Sequence, residues 1–145
     1  SSGTSETDLL NDSGGSGFVI PAGTWAREGD VVSVYAEGQH IYTSVNRDFK
    51  FYVGSSPPVS FTFVGGTSGR WQLMALILWQ SSTQARVSSW FFTEPASSAL
   101  NVPRSSNAAV TAAGNTTLRI TGQSSISGQV KLSGYLVKHE RGRVR

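Results

Sequence analysis

The alternation of apolar and polar residues constrains this chain more than any other feature. No stretch of ten or more residues repeats the i, i+3, i+4 apolar spacing of an amphipathic helix, whereas period-two alternation recurs. Val32 and Val34 share one side of one such run, and Phe49 and Phe51 share one side of the next. Serine and threonine make up 35 of the 145 residues and glycine 16, a composition typical of strands joined by short turns. The sequence therefore predicts an all-β fold, a single jelly-roll-like antiparallel β-sandwich with an extended N-terminal arm.

The ends of the chain differ from its middle. Residues 1–17 show little periodicity beyond Leu9 and Leu10. We expect 1–17 to be a flexible or docking arm that attaches to a neighbour through these two leucines, the alternative being a frayed terminus. The predicted β-sandwich domain then spans 18–139, and 140–145 form a basic C-terminal tail.

Charge is distributed unevenly along the chain. Before Arg27 there are three acids and no basic residue, whereas the last fifteen positions hold five Lys or Arg residues against Glu140 alone. The tail is either a solvated end or a partner for acidic arms of neighbouring subunits. We do not expect nucleic-acid binding, because the tail has no interleaved aromatic residue and the body has no basic stripe. No stretch approaches the ~18 to 20 apolar residues of a transmembrane helix, so we expect no membrane partner.

One predicted strand, 71–79, is apolar on both sides. Its odd positions form a core face, yet Met74, Leu76 and Leu78 on the opposite face are apolar as well. A two-sided apolar strand in an antiparallel sheet needs a second cover. That cover is either the long stretch 93–107, predicted to be an irregular crossover loop, or another subunit. For a second subunit, in a homotrimer, the predicted interface residues are Met74, Leu76, Leu78, Tyr135 and Val137.

The sequence offers no set of residues for catalysis. There is no cysteine, and His40 and His139 have neither a carboxylate nor a second histidine at ligand spacing, so we expect no metal and no cofactor. No nucleophile elbow or phosphate-binding loop is present. Glu28 and Asp30 lie at one turn, where Asp30 most simply caps the turn. We therefore expect the protein not to be an enzyme.

Aromatic residues are the remaining candidates for ligand contact. Trp71, Trp79 and Trp90 lie in alternating strands and are expected in the core. Trp25 lies in a predicted turn and is the better candidate for an exposed ring that stacks on a ligand. Tyr42 is a second possible ligand contact.

The order of these landmarks resembles small β-sandwich modules in the structural proteins of tailed bacteriophages. The resemblance covers about 18–137 and is carried by "FVIPAGTWAREGDVVSVYAEG", "FKFYVGSS", "GRWQLMALILWQSSTQARVSSWFF" and "NTTLRITGQSS". It implies a trimeric or otherwise symmetric assembly on the phage particle, and it carries no catalytic residues. The tail "HERGRVR" departs from the usual pattern, which leaves the docking mode open.

Three functions follow as hypotheses. The first is a capsid decoration, or cement, protein located in the virion, with other virion proteins such as the major capsid protein as partners. The second is a tail or head fibre module that recognises cell-surface carbohydrate through Trp25, Tyr42 and 93–107. The third is a carbohydrate-binding domain detached from a glycosidase.

Overall fold

Strands and turns make up the part of the protein that the structure describes. The computed structural model describes residues 7–10, 17–41, 46–64, 68–94, 100–124 and 130–142, and these residues form no helix. In the part of the chain that the structure describes, there is accordingly no helix with the length and hydropathy of a membrane span. The ten strands are β1 (Thr7–Asp8), β2 (Phe18–Ile20), β3 (Val31–His40), β4 (Asn46–Val53), β5 (Val59–Val64), β6 (Gly69–Ser81), β7 (Gln84–Glu94), β8 (Leu100–Ala109), β9 (Thr116–Ser124) and β10 (Val130–Glu140).

The strands form two antiparallel sheets that pack face to face. In the first sheet, β9 pairs with β1 and β2, and on its other side the order continues with β4 and β5. The second sheet has the order β10-β3-β6-β7-β8. The predicted all-β antiparallel sandwich is confirmed.

An aromatic cluster fills the space between the sheets. The Phe91 ring lies 4.7 Å from Phe49 and 5.1 Å from Phe61, and Phe49 lies 5.0 Å from Trp71, measured between ring centroids. Trp71 is fully buried, as its alternating position predicts. These rings come from both sheets, so burial of their apolar surface holds the sheets together.

The stretch predicted to be a crossover loop is largely a strand. Of 93–107, residues 95–99 lie outside the described residues, while β8 pairs with β7 from Leu100 to Ala109. Pro103 misled the sequence argument: proline donates no backbone hydrogen bond, but an edge strand tolerates it. Because β8 lies beside β7 within the sheet, its described residues extend the sheet instead of covering it.

The leucines assigned to the arm belong to the core. Leu9 and Leu10 are 5% and 3% exposed, and the N–H of Leu9 donates to the Ile120 carbonyl at 2.7 Å. Gly122 on β9 makes room for Leu9, since a Cβ added there would lie 3.2 Å from Leu9 Cδ1. The expectation that Leu9 and Leu10 are free to dock on a neighbour is therefore wrong in this conformation. Residues 1–6 and 11–16 lie outside the described residues.

Candidate interaction surface

The second sheet has an outer face, defined as the side that points away from the first sheet. β6 places Leu73, Ala75 and Ile77 in the core and Met74 and Leu76 on the outer face, as the alternation predicts. The exposed fractions are 46% for Met74, 42% for Leu76 and 36% for Leu78. Within the described residues, no segment of the chain's own covers these side chains.

The neighbouring strands extend the apolar surface across the sheet. Residues directly opposite one another in an antiparallel pair share a face. Met74 lies opposite Tyr35 on β3 and opposite Trp90 on β7. Tyr35 in turn lies opposite Leu136 on β10, and Trp90 lies opposite Pro103 on β8. One continuous row of large side chains thus crosses all five strands.

A groove follows this row. Its volume is about 520 Å³, and its lining includes Tyr35, Met74, Leu76, Trp90, Phe92 and Leu136. Trp90 and Phe92 are half-buried in it, whereas Phe91 between them points into the core. The expectation that Trp90 is a core residue is therefore wrong: in the run of three aromatic residues, the middle one takes the core position.

β10 presents different residues from those predicted. Tyr135 and Val137 are half-buried and pack against the core, opposite Ala36 and Val34. Leu136 is the outward residue and is 61% exposed. The cause is an irregularity in the β10–β3 register between Leu132 and Gly134. A one-residue slip moves every following side chain to the other face, so Tyr135 and Val137 are corrected from interface to core-facing residues.

Polar groups border the apolar row. The Tyr35 hydroxyl donates to Glu37 Oε2 at 2.8 Å, and Gln72 Nε2 donates to the Tyr35 oxygen at 3.2 Å. The hydrogen bond to Glu37, with smaller effects of burial and the Glu37 charge, raises the pKa of Tyr35, which stays a neutral phenol at neutral pH.

Charged residues lie at both ends of the strands: Lys131, Arg70 and Glu94 at one end, and Lys138, Glu140 and Arg86 at the other. An apolar centre with a polar rim is the usual anatomy of a protein–protein interface.

The aromatic residue chosen from the sequence for ligand contact is buried. Trp25 is 0% exposed, and its Nε1 lies 3.5 Å from Thr116 Oγ1 as a hydrogen-bond donor. The turn that carries it folds over the end of the sandwich, where the N–H of Gly23 donates to the Ala112 carbonyl at 2.7 Å. Trp25 is therefore corrected from a stacking platform to a core residue. Tyr42 lies outside the described residues.

Asp30 ties the turn to the C-terminal end of β10. Its buried carboxylate accepts hydrogen bonds from the backbone N–H groups of Ala26, Arg27 and Gly142, and the Arg141 guanidinium lies 3.3 Å away. Burial raises the pKa of Asp30, but these N–H groups and Arg141 outweigh it and lower the pKa to about 2. The predicted turn-capping role is confirmed, and Arg141 pairs within its own chain. Arg143 and Arg145 lie outside the described residues.

Among the described residues, His, Cys, Asp and Glu side chains nowhere come together in a cluster of three or more that could hold a metal ion. His40 is 1% exposed at the opposite end of the second sheet from Asp30. Burial, with the nearby Arg47 charge, lowers the pKa of His40, so the imidazole is neutral at neutral pH.

No protein-family model matches the chain, and neither a curated protein nor a solved structure is significantly similar to it.

The alternation in the sequence predicted Met74, Leu76 and Leu78 on the outer face, but not Tyr35, Trp90, Phe92 and Leu136. A signal for Tyr35 was present, because it alternates with Val34 along β3. Trp90 and Phe92 carried the same alternation, but their size favoured a core assignment. Leu136 could not be assigned, since its face depends on the register irregularity.

Proposed function

We propose that this chain is a non-enzymatic structural protein of a bacteriophage virion, which decorates the capsid and reinforces it through contacts between subunits. One observation carries the assembly role: a contiguous apolar outer face that no described part of the chain covers. Monomeric proteins rarely expose an apolar patch that spans a whole sheet, and such patches mark sites of association. The location in the virion rests on the resemblance of 18–137 to phage β-sandwich modules.

The proposed partners are further copies of this chain and other virion proteins, the major capsid protein among them. The homotrimer expected from the sequence stays a prediction, and a two-fold pair through the outer face is the alternative that sedimentation distinguishes from it. A cement protein binds a symmetric shell through many weak contacts that repeat over its surface. A moderate interface on each subunit is therefore enough for stable attachment.

Co-sedimentation with capsids that lack this protein tests the proposal. Wild type should bind the shells and raise the temperature at which they break. Leu76→Asp should bind much less, because it places an unpaired carboxylate in the buried interface. Val19→Asp is the matched control, since Val19 is also an exposed apolar strand residue (46%) but lies on β2 in the first sheet. Failure of wild type to bind shells, or equal binding by both variants, would contradict the proposal.

A second candidate is a fibre module that binds cell-surface carbohydrate. The half-buried rings of Trp90 and Phe92 favour it, because an aromatic face can stack on a sugar ring while Gln72 and Lys138 supply hydrogen bonds. Glycan or cell binding by wild type that Trp90→Ala abolishes, together with no capsid binding, would establish this role instead.

A further inference from the structure

We propose that two copies of this chain pair outer face to outer face about a two-fold axis that runs parallel to β6. This inference rests on the proposed assembly role and names the partner as a second copy. Such an axis exchanges the two sides of the sheet: β10 of one copy lies over β8 of the other, β3 lies over β7, and β6 meets itself.

The arrangement of apolar side chains favours a two-fold pair. The outer face is one patch centred on β6, and a single patch that meets its own copy gives an isologous, two-fold interface. A ring needs two different complementary patches. Along the proposed axis, Met74, Leu76 and Leu78 each meet the same residue of the other copy, which extends one apolar core through the interface.

The row across the sheet is complementary to itself under the same axis. Tyr35 on β3 comes over Trp90 on β7 of the other copy, and Leu136 on β10 comes over Pro103 on β8. Leu136 is the most exposed large apolar side chain of the described residues, and it would enter the other copy's groove beside Trp90. Each large side chain thereby meets an apolar surface.

The rim charges are also complementary. Glu140 lies opposite Val31 at one corner of the outer face, and Arg86 lies at the same end on β7, three strands from Glu140. The axis places Glu140 of one copy over Asn107 on β8 of the other, one strand away from Arg86 on β7, so the two charged side chains reach towards each other. At the opposite end it brings Lys131 towards Glu94 in the same way.

Each pair occurs twice in the dimer, so the rim contributes four attractive contacts. Glu140 already lies 2.7 Å from Lys138 of its own chain and gains a second cation. Arg70 on β6 meets its own copy near the axis, which opposes the pairing in part.

A two-fold axis perpendicular to the strands fits less well. Centred on Met74, it would place Leu76 against Gln72 and Leu78 against Arg70 of the other copy. Centred on Leu76, it would place Lys138 against its own copy.

The perpendicular axis centred on Met74 does set opposite charges together, with Lys131 over Glu140 and Glu94 over Arg86, but it leaves two leucines facing polar side chains. The parallel axis keeps Met74, Leu76 and Leu78 against apolar partners, and this difference favours it.

The face is large enough for a stable pair. Five strands about 4.8 Å apart are ~24 Å wide, and the outward residues of β6 span ~25 Å along the strand, so each subunit contributes roughly 600 Å². The two faces together bury about 1,200 Å², which reaches the lower end of specific interfaces.

Sedimentation equilibrium with charge-reversed variants tests the pairing. Wild type should have the mass of a dimer at micromolar concentration. Arg86→Glu and Glu140→Arg should each weaken dimerisation roughly tenfold, because each places two like-charged pairs in the dimer. The double variant should recover to within about threefold of wild type, since the charges are exchanged but still opposite. Lys50→Glu, a charge reversal on β4 of the first sheet between the buried Phe49 and Phe51, should leave the dimer unchanged.

Each alternative has its own outcome. A trimeric mass, or Arg86→Glu and Glu140→Arg effects that simply add, would overturn the parallel axis. If Lys131→Glu restored the dimerisation of Glu140→Arg and Arg86→Glu did not, the two-fold axis would be perpendicular to the strands. A wild type that is monomeric yet binds capsids would overturn the pairing and leave the virion role standing. A dimer with the expected charge coupling that fails to bind capsids would leave the pairing standing and overturn the virion role.

Discussion

The backbone N–H of Gly142 donates a 2.7 Å hydrogen bond to the carboxylate Oδ1 of Asp30, although 112 residues separate them. No side chain would fit at this glycine, since an added Cβ would lie 2.7 Å from the Asp30 nitrogen. The contact fixes the end of β10 beside the turn that holds Trp25, and β10 carries Leu136 to the edge of the outer face.

Replacing Asp30 should therefore destabilise the sandwich. Asp30→Asn removes the charge that three backbone N–H groups and Arg141 stabilise, which should cost about 2 kcal/mol of unfolding free energy. Urea denaturation measures this change. Glu28→Gln, an exposed carboxylate in the same turn, is the control and should have no effect. Equal effects of the two substitutions would contradict the role given to Asp30.

The lowered pKa of the Asp30 carboxyl group should make the stability of the protein depend on pH. The pKa of Asp30 is lowered from 3.8 to about 2 on folding, so its contribution is complete above the unfolded value and is lost as the pH falls through about 2. The lost contribution is about 2 kcal/mol by linkage. When the pH is lowered from above 3.8 to about 2, the unfolding free energy of wild type should fall by more than that of Asp30→Asn. Parallel pH profiles for the two proteins would show that the carboxylate is not selectively stabilised.

Leu9 and Leu10 should matter for folding. Because both are buried in the core, the double change Leu9→Ser, Leu10→Ser should cost at least about 3 kcal/mol of unfolding free energy. Val19→Ser, at an exposed position on β2, is the control and should cost little. A double variant as stable as wild type would show that these leucines are not core residues in solution.

Gly38 lies where β3, β6 and β10 approach one another closely, and a substitution there tests this packing. The Trp71 indole N–H crosses Gly38 to donate to the Lys131 carbonyl at 3.1 Å. A Cβ at Gly38 would collide with that carbonyl and lie 2.6 Å from Trp71 Nε1. Gly38→Ala should therefore cost roughly 1–3 kcal/mol or more, measured by thermal or urea unfolding. Gly134→Ala is the matched control, because nothing lies within 4 Å of its added Cβ. Similar losses for both would contradict the packing described.

Sequence alternation predicted the parts of the fold that depend on local pattern. It assigned both faces of β6, where Ile77 is 0% exposed and Leu76 is 42% exposed. It could do so because side chains of a regular strand alternate between the two faces.

Long-range geometry explains what alternation missed. The faces of Tyr135 and Leu136 depend on a register irregularity that no residue pattern marks. The burial of Leu9 depends on Gly122, more than a hundred residues away, leaving space on β9. Trp25 was misplaced because a turn can fold back over the end of a sandwich and bury its aromatic residue.

The central claim is that copies of this chain associate with one another through the outer face of the second sheet, and sedimentation equilibrium of three proteins tests it most directly. Wild type and Val19→Asp should have the mass of an oligomer, while Leu76→Asp should be a monomer with nearly unchanged thermal unfolding, because Leu76 is outside the core. A wild type that stays monomeric at micromolar concentration, or a Leu76→Asp variant that associates as strongly as wild type, would contradict the claim.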